Sequence, residues 1–375
     1  MAATGQSMQE NLEKCKSADS DTRITGCTAI IQAGLLKDLL TPENLSIIYV
    51  NRGTAYFNKG DYDRAIQDYD QAIRLSPKDM SAYYSRGGAY NKKGKYDRAI
   101  QDLNEAIRLN PNDKSAYVVR GDTYKEKGDY DRAIQDFDEA IRLNPNDARA
   151  YYDRGNAYNS KDDYARAILD YDQAIRLNSK DASAFYSRGS ANYNKGDYDR
   201  AIQNYNEAIS LYPNSALFYE KRGDAYFVQS NLTAASADFE HGISAAPSSR
   251  TAVFAALMLH VLMKRQGQDD AQQLARVAAA ADLSKWPGPV LKLDLGQMTA
   301  DEVMVAAASP GYDTQKWQVC EANYFTGEDA LLHHQRATAL ARLKAARDGC
   351  PKGDTDYALA LAELKRLGAP VVPTR

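Results

Sequence analysis

Four cysteines and four histidines are the side chains of this 375-residue chain best suited to redox or metal chemistry. Cys15, Cys27, Cys320 and Cys350 form no C-x-x-C, which is a poor basis for a zinc or thioredoxin-type site. They fall instead as two pairs, one in each flank. The polar run Lys16-Ser17-Ala18-Asp19-Ser20-Asp21 between the first two allows the chain to reverse. Four cysteines allow three connectivities, and locality alone favours Cys15 with Cys27 and Cys320 with Cys350. That pairing implies an oxidising compartment. The alternative is four buried free thiols in a cytosolic protein.

His241, His260, His333 and His334 show no ligand spacing, and the adjacent pair would point to different sides of a helix. No metal site and no cofactor are expected. G-x-S-x-G, H-E-x-x-H, P-loop and G-x-G-x-x-G motifs do not occur. The carboxylates sit in recurring Asp-Tyr-Asp-Arg and Gln-Asp-Tyr-Asp units, where repetition points to solvated, structural roles rather than a glycosidase pair. Catalysis is not expected. A recurring arginine, Arg52 through Arg222, is matched by an acid at Asp68, Asp102, Asp136, Asp170 and Asp238, with Asn204 the exception. An Arg–Asp ladder between stacked helices is the structural reading; a groove for an anionic ligand is the functional one.

The elements that carry these residues follow from the spacing. Arg-Gly occurs at Arg52-Gly53, Arg86-Gly87, Arg120-Gly121, Arg154-Gly155, Arg188-Gly189 and Arg222-Gly223, always 34 residues apart. An aromatic precedes each Gly by four, from Tyr49 to Tyr219, and Tyr56, Tyr90, Tyr124, Tyr158 and Tyr226 follow by three. Ala65 and its equivalents follow by twelve, and Pro77, Pro111, Pro145, Pro213 and Pro247 close five units. Tyr49, Gly53 and Tyr56 share a helical stripe, and Tyr62, Ala65, Ile66, Tyr69, Ala72 and Ile73 form a second. Asn58-Lys59-Gly60-Asp61 between them is turn chemistry, with Gly60 suited to positive φ. Each unit is a helical hairpin that needs stacked neighbours to bury its face. The fourth unit has Asp162 for the turn Gly and Ser179 for Pro; the fifth has Asn192 where Tyr is expected.

The pattern Y-x2-R-G-x2-Y, A, aromatic, A, P at period 34 resembles the tetratricopeptide-repeat (TPR) consensus, in the variant with Arg before the Gly. The resemblance implies an all-α, right-handed solenoid of hairpins with helical caps at both ends. It also implies a concave groove lined by the first helix of each hairpin. Mapped by the 34-residue frame, the groove residues are Tyr84, Asn91, Lys125, Tyr152, Asn156, Asn159, Tyr186, Tyr193 and Asn194. Tyrosine offers rigid apolar area with a hydroxyl, and Asn can hold a peptide backbone by donor and acceptor together. The bland alternative is a groove that is merely hydrophilic. The positions of the carboxylate clamp used by chaperone-binding TPRs hold Val50, Tyr84, Val118, Tyr152 and Tyr186, which argues against an acidic chaperone tail.

The organisation expected is capping helices over 1–45, six units over 46–249, a degenerate seventh hairpin over 250–283 and a TPR-like helical region over 284–375. Ile24, Cys27, Ile30, Ile31 and Leu35 read as the N-terminal cap. Thr299 and Glu302 have capping-box spacing for a helix through Ala308. Trp317, Cys320 and Tyr324 begin a further pair, with a turn expected at Thr326-Gly327-Glu328. The tail, W-P-x-P-V-x-x-L-x-L-G-x-x-T, then E-A-N-Y-F-x-G-E, then Y-A-L-A-x-x-E-L-x-x-L, resembles bacterial envelope TPR lipoproteins of the "new lipoprotein I" kind. That resemblance implies an envelope adaptor that docks proteases or cell-wall hydrolases.

Composition sets the remaining limits. With 47 basic and 50 acidic residues interspersed, there is no electrostatic case for nucleic acid. No stretch is apolar enough to span a bilayer. The first residues show no basic or apolar leader region, which taken literally means cytoplasm; a removed leader would place the chain in the periplasm or cell envelope. The leading expectation is a non-catalytic scaffold that binds a protein or peptide in the groove, with the tail as a docking or homodimer surface. A cytoplasmic scaffold, or a tail-borne hydrolase of unrecognised type, is the alternative.

Overall fold

The computed structural model describes residues 2–32, 40–309, 315–351 and 355–370, and among them every regular element is an α-helix. Leu35, placed in the N-terminal cap by its spacing, lies outside the described residues. The chain forms two compact units, Met1–Lys161 and Asp162–Arg375. This boundary falls inside the fourth 34-residue unit, between its two helices.

In the first unit, helices Ala2–Cys15 and Ser20–Gln32 form the cap. Three hairpins follow, Pro42–Asn58 with Tyr62–Leu75, Met80–Lys92 with Tyr96–Leu109, and Lys114–Glu126 with Tyr130–Leu143, and helix Ala148–Ser160 ends the unit. Most helix starts here are set by a side chain. Asp61, Asp79, Asp113, Asp129 and Asp147 accept hydrogen bonds from backbone N–H groups two or three residues on, satisfying donors that a helix leaves open. Where Lys95 replaces the acid, no side-chain cap forms. The turns need a left-handed residue, and Gly60, Gly94 and Gly128 take φ of 78°, 68° and 82°.

Close packing explains the small residues. A Cβ on Gly53 would lie 2.7 Å from the Tyr69 ring, and one on Gly121 would lie 2.8 Å from Phe137. The large apolar side chain at the sixteenth position after the glycine, aromatic or Leu, therefore enters a notch that only glycine leaves, and Tyr69, Leu103 and Phe137 are fully buried there.

Within each unit the recurring arginine fastens a hairpin to itself and to the element before it. Arg52 grips Asp68 through Nε and Nη2 at 2.8 and 2.7 Å, and its Nη1 donates to Thr28 of the cap at 3.1 Å. Arg86 holds Asp102 in the same two-pronged way and reaches back to Asp70. Arg120 holds Asp136 and reaches back to Asn104. In the second unit Arg222 repeats the pattern with Asp238 and Asn206. Most of each guanidinium's fork is thus committed to protein acceptors, which makes it a staple between repeats.

The second unit continues from helix Tyr164–Leu177 through hairpins Ala182–Asn194 with Tyr198–Leu211, and Ala216–Val228 with Leu232–Ala245. Helices Arg250–Arg265 and Ala271–Ala280 occupy the span expected for a degenerate seventh hairpin, and short helices Gly288–Asp294 and Ala300–Ala307 follow. The capping box of Thr299 and Glu302 is formed. One expectation is corrected in the tail. The chain does not turn at Thr326-Gly327-Glu328: helix Gln315–Leu332 runs through it, and the turn comes at His334, with φ 59°. Gly327 is the notch glycine of a true repeat, because a Cβ there would meet Leu343, sixteen residues on, at 3.0 Å. The partner helix is Arg336–Gly349, and Thr355–Arg366 closes the described fold.

Candidate functional site

In the first unit a cavity of about 630 Å³ opens across three successive first helices, Met80–Lys92, Lys114–Glu126 and Ala148–Ser160. Two of the residues assigned to the groove from sequence, Asn91 and Lys125, line it. Asn91 Nδ2 donates to Thr123 Oγ1 at 2.9 Å, which fixes its amide. Tyr84, Tyr152, Asn156 and Asn159 are half-buried on the same first helices but outside this cavity wall.

The cavity owes its polarity to Lys125 together with three residues the repeat frame did not single out, Asp122, Arg149 and Asp153. Lys125 Nζ donates to Asp122 Oδ1 at 3.0 Å and lies 3.8 Å from Asp153 Oδ1. Arg149 Nε donates to Asp153 Oδ2 at 3.3 Å, and its Nη2 is 3.5 Å from Asp122 Oδ2. Two acids and two bases thus alternate around one opening. Burial pushes the Asp153 carboxyl up to about 6, the Asp122 charge adds to that, and Lys125 and Arg149 pull the other way. Burial works against the charge on Lys125, but Asp122 and Asp153 outweigh it and raise its pKa. Arg149 and Asp153 stand four residues apart on the same helix as the mapped Tyr152, Asn156 and Asn159.

In the second unit the groove assignment needs correction. Tyr193 is only 5% exposed and packs with Ala201, Tyr205 and Ala225 in a hairpin core, its ring edge-on to Tyr198 at 5.2 Å. Tyr186 stacks on Phe218 at 5.3 Å and lies against the same core. The C-terminal helix contributes to this covering: Ala358 packs on that core, and Lys221 Nζ donates to Thr355 Oγ1 at 3.1 Å. Fold packing has claimed Tyr193, whereas Tyr186 stays half-buried. Asn194 is half-buried at the last position of helix Ala182–Asn194.

The cysteines stand as two bonded pairs, Cys15–Cys27 with Cα atoms 4.6 Å apart and Cys320–Cys350 with 5.3 Å. The first joins the two capping helices and the second joins the two helices of the tail repeat. His260 Nδ1 lies 2.8 Å from Asp270 Oδ2 in a buried pair, and His241 stacks on Tyr219. Among the described residues no cluster of His, Cys, Asp or Glu is placed to hold a metal ion, and no helix is long and apolar enough to cross a membrane.

Comparison with known proteins agrees with the repeat frame. Models described as tetratricopeptide repeat match residues 50–114, 160–216 and 186–250, and another matches 103–135. A model described as TPR repeat matches 121–161. Among solved structures, a tetratricopeptide repeat protein from Parabacteroides merdae ATCC 43184 is 22% identical with a TM-score of 0.51, over 64% of this chain and 94% of that one. MamA is 28% identical with a TM-score of 0.41, over 44% of this chain and 91% of that one. YrrB, described as a TPR protein with an unusual peptide-binding site, is 22% identical with a TM-score of 0.42, over 51% and 95%. No curated protein matches the chain.

Proposed function

This chain is a tetratricopeptide-repeat protein, and on that premise we propose that it is a non-catalytic scaffold which holds a peptide or protein segment on the first-helix face of its first unit. Proteins of this family generally mediate protein–protein contacts. The observation that carries the reading is the polar cavity of Asn91, Asp122, Lys125, Arg149 and Asp153. An extended peptide presents N–H donors and C=O acceptors along its length, and this opening offers both kinds of partner side by side. Tyr84 and Tyr152 add apolar area on the same helices.

The two cysteine pairs support an oxidising compartment, and the tail resemblance supports the reading of a bacterial envelope location. A pull-down from the native organism tests the site, using tagged wild type beside an Asn91→Ala/Lys125→Ala/Tyr152→Ala variant. Loss of the captured partner from a variant that melts like wild type is expected. Equal capture by both forms would overturn the site. Light scattering tests the homodimer reading of the tail, and a mass matching one chain at all concentrations would end it.

A further inference from the structure

Both tryptophans of the chain, Trp286 and Trp317, line one cavity of about 980 Å³ within the second unit. It forms where helices Ala216–Val228 and Arg250–Arg265 meet the tail, outside the first-helix face already described. Leu217 and Phe254 complete an apolar wall with the two indoles. Trp317 keeps 44% of its surface exposed and Leu217 keeps 37%. The repeat pattern asks for neither of them.

Charge around this cavity is sorted by depth. The Lys285 and Arg250 side chains are 81% and 63% exposed, whereas Glu220 and Glu321 keep 8% and 10%. The acids are also engaged: Glu321 accepts from Arg250 through one oxygen and from the Trp286 indole N–H through the other, and Glu220 pairs with Lys221 at 2.9 Å. A ligand entering the cavity therefore meets cations and aromatic faces, with the acids beneath. Counting the wall as a whole, Lys221, Arg250 and Lys285 are balanced by Glu220, Glu321 and Asp356. That balance does not suit the several charges of a polyphosphate; Lys285 also lies 3.3 Å from Asp282, so a single ligand carboxylate would have to meet Arg250 and Lys285 in competition with Glu321 and Asp282. Thr251, Gln318 and Thr355 supply the hydrogen-bonding groups that a peptide backbone uses. The volume lies near the top of the range of roughly 300–1,000 Å³ for ligand sites.

We propose that this cavity is a second peptide-binding site, which takes a segment presenting an apolar side chain next to a carboxylate. The apolar group packs on Trp317, Trp286 and Phe254, and the carboxylate meets Arg250 and Lys285. The chain supplies its own reporter, because Trp286→Phe leaves Trp317 as the sole indole.

The probe is acetyl-Gly-Gly-Phe-Asp-Gly-Gly-amide, titrated into the full chain by fluorescence of the Trp286→Phe variant and by calorimetry of wild type. Saturable binding is expected by both. The Asn-for-Asp peptide should bind about tenfold more weakly at low salt, and the Gly-for-Phe peptide should not bind measurably. Trp317→Ala, at an exposed position and checked to melt like wild type, should abolish the calorimetric signal. Asn91→Ala/Lys125→Ala should leave it unchanged, which separates this site from the first-unit face. Absence of saturable binding in wild type, equal binding of the Asn peptide, or binding retained by Trp317→Ala would overturn the proposal.

Discussion

Asp153 shows how one side chain couples the candidate site to pH. Its carboxyl is pushed up to about 6 from an ordinary value of 3.8, chiefly by burial and then by Asp122. The folded state therefore holds this proton more tightly than the unfolded state does. The stabilising contribution is complete below about pH 3.8 and is lost as pH rises through about 6. Protonation also releases Arg149 and Lys125 from one of their two acids. We expect an acidic ligand of the first unit to bind more tightly at pH 5 than at pH 7. Asp153→Asn should flatten both dependences, and melting and calorimetry across that range would show it; an unchanged pH profile would contradict the assignment. A second residue-scale test concerns the arginine staples. Arg120→Ala leaves a buried Asp136 unpaired and should cost about 3 kcal/mol. Asp136→Asn should cost nearer 1 kcal/mol, since Arg188 already donates to Asn204 at the equivalent place, at 2.6 Å. Urea unfolding compares the two. The staples were legible in the sequence because they repeat. Asp122, Arg149 and Asp153 were not, because the positions equivalent to Asp153 hold Asn51, Ser85, Val119, Ser187 and Lys221.

The hairpin is the element on which the sequence is most explicit, since notch glycine, aromatic plug and turn glycine each answer a distinct steric need. The turns also show where the pattern is under strain. Asp162 and Ser230 stand at turn-glycine positions with φ of 59° and 63°. A side chain there costs about 1 kcal/mol relative to glycine. Ser230→Gly should therefore raise stability by about that amount, measured as a higher melting temperature; a lower one would show that the Ser230 side chain contributes more than its backbone costs. The same logic explains the misread tail. Gly327 has two readings in sequence, turn or notch, and only the sixteen-residue partner Leu343 decides between them. Ala339, Ala346 and Pro351 complete the frame, so the repeat spacing was present in the tail but masked by the unusual His333-His334 turn. Helix Gly288–Asp294 had no periodic signal to announce it, being seven residues long with Pro289 at its start.

At the scale of the molecule, what sequence could not show is which exposed faces the chain covers for itself. Tyr193 looks like a groove residue by position, but the hairpin core and Tyr198 bury it, while the half-buried Tyr186 stacks on Phe218, a contact 32 residues away in sequence. Locality did suffice for the cysteines. Cys15–Cys27 closes a separation of 12 residues and Cys320–Cys350 one of 30. Loop closure of this size stabilises by about 3 kcal/mol each. Protein from the native source, denatured and alkylated without reductant, should therefore carry no modified thiols and should melt lower once reduced. Four modified thiols would remove the support for an oxidising compartment. The central claim is that a partner lies on the first-helix face of the first unit. Photo-cross-linking tests it most directly, with a photoreactive residue at Lys125 and, separately, at Gln135 on an outward second helix. The account predicts a discrete protein adduct from Lys125 and none from Gln135. Adducts from Gln135 alone would contradict it.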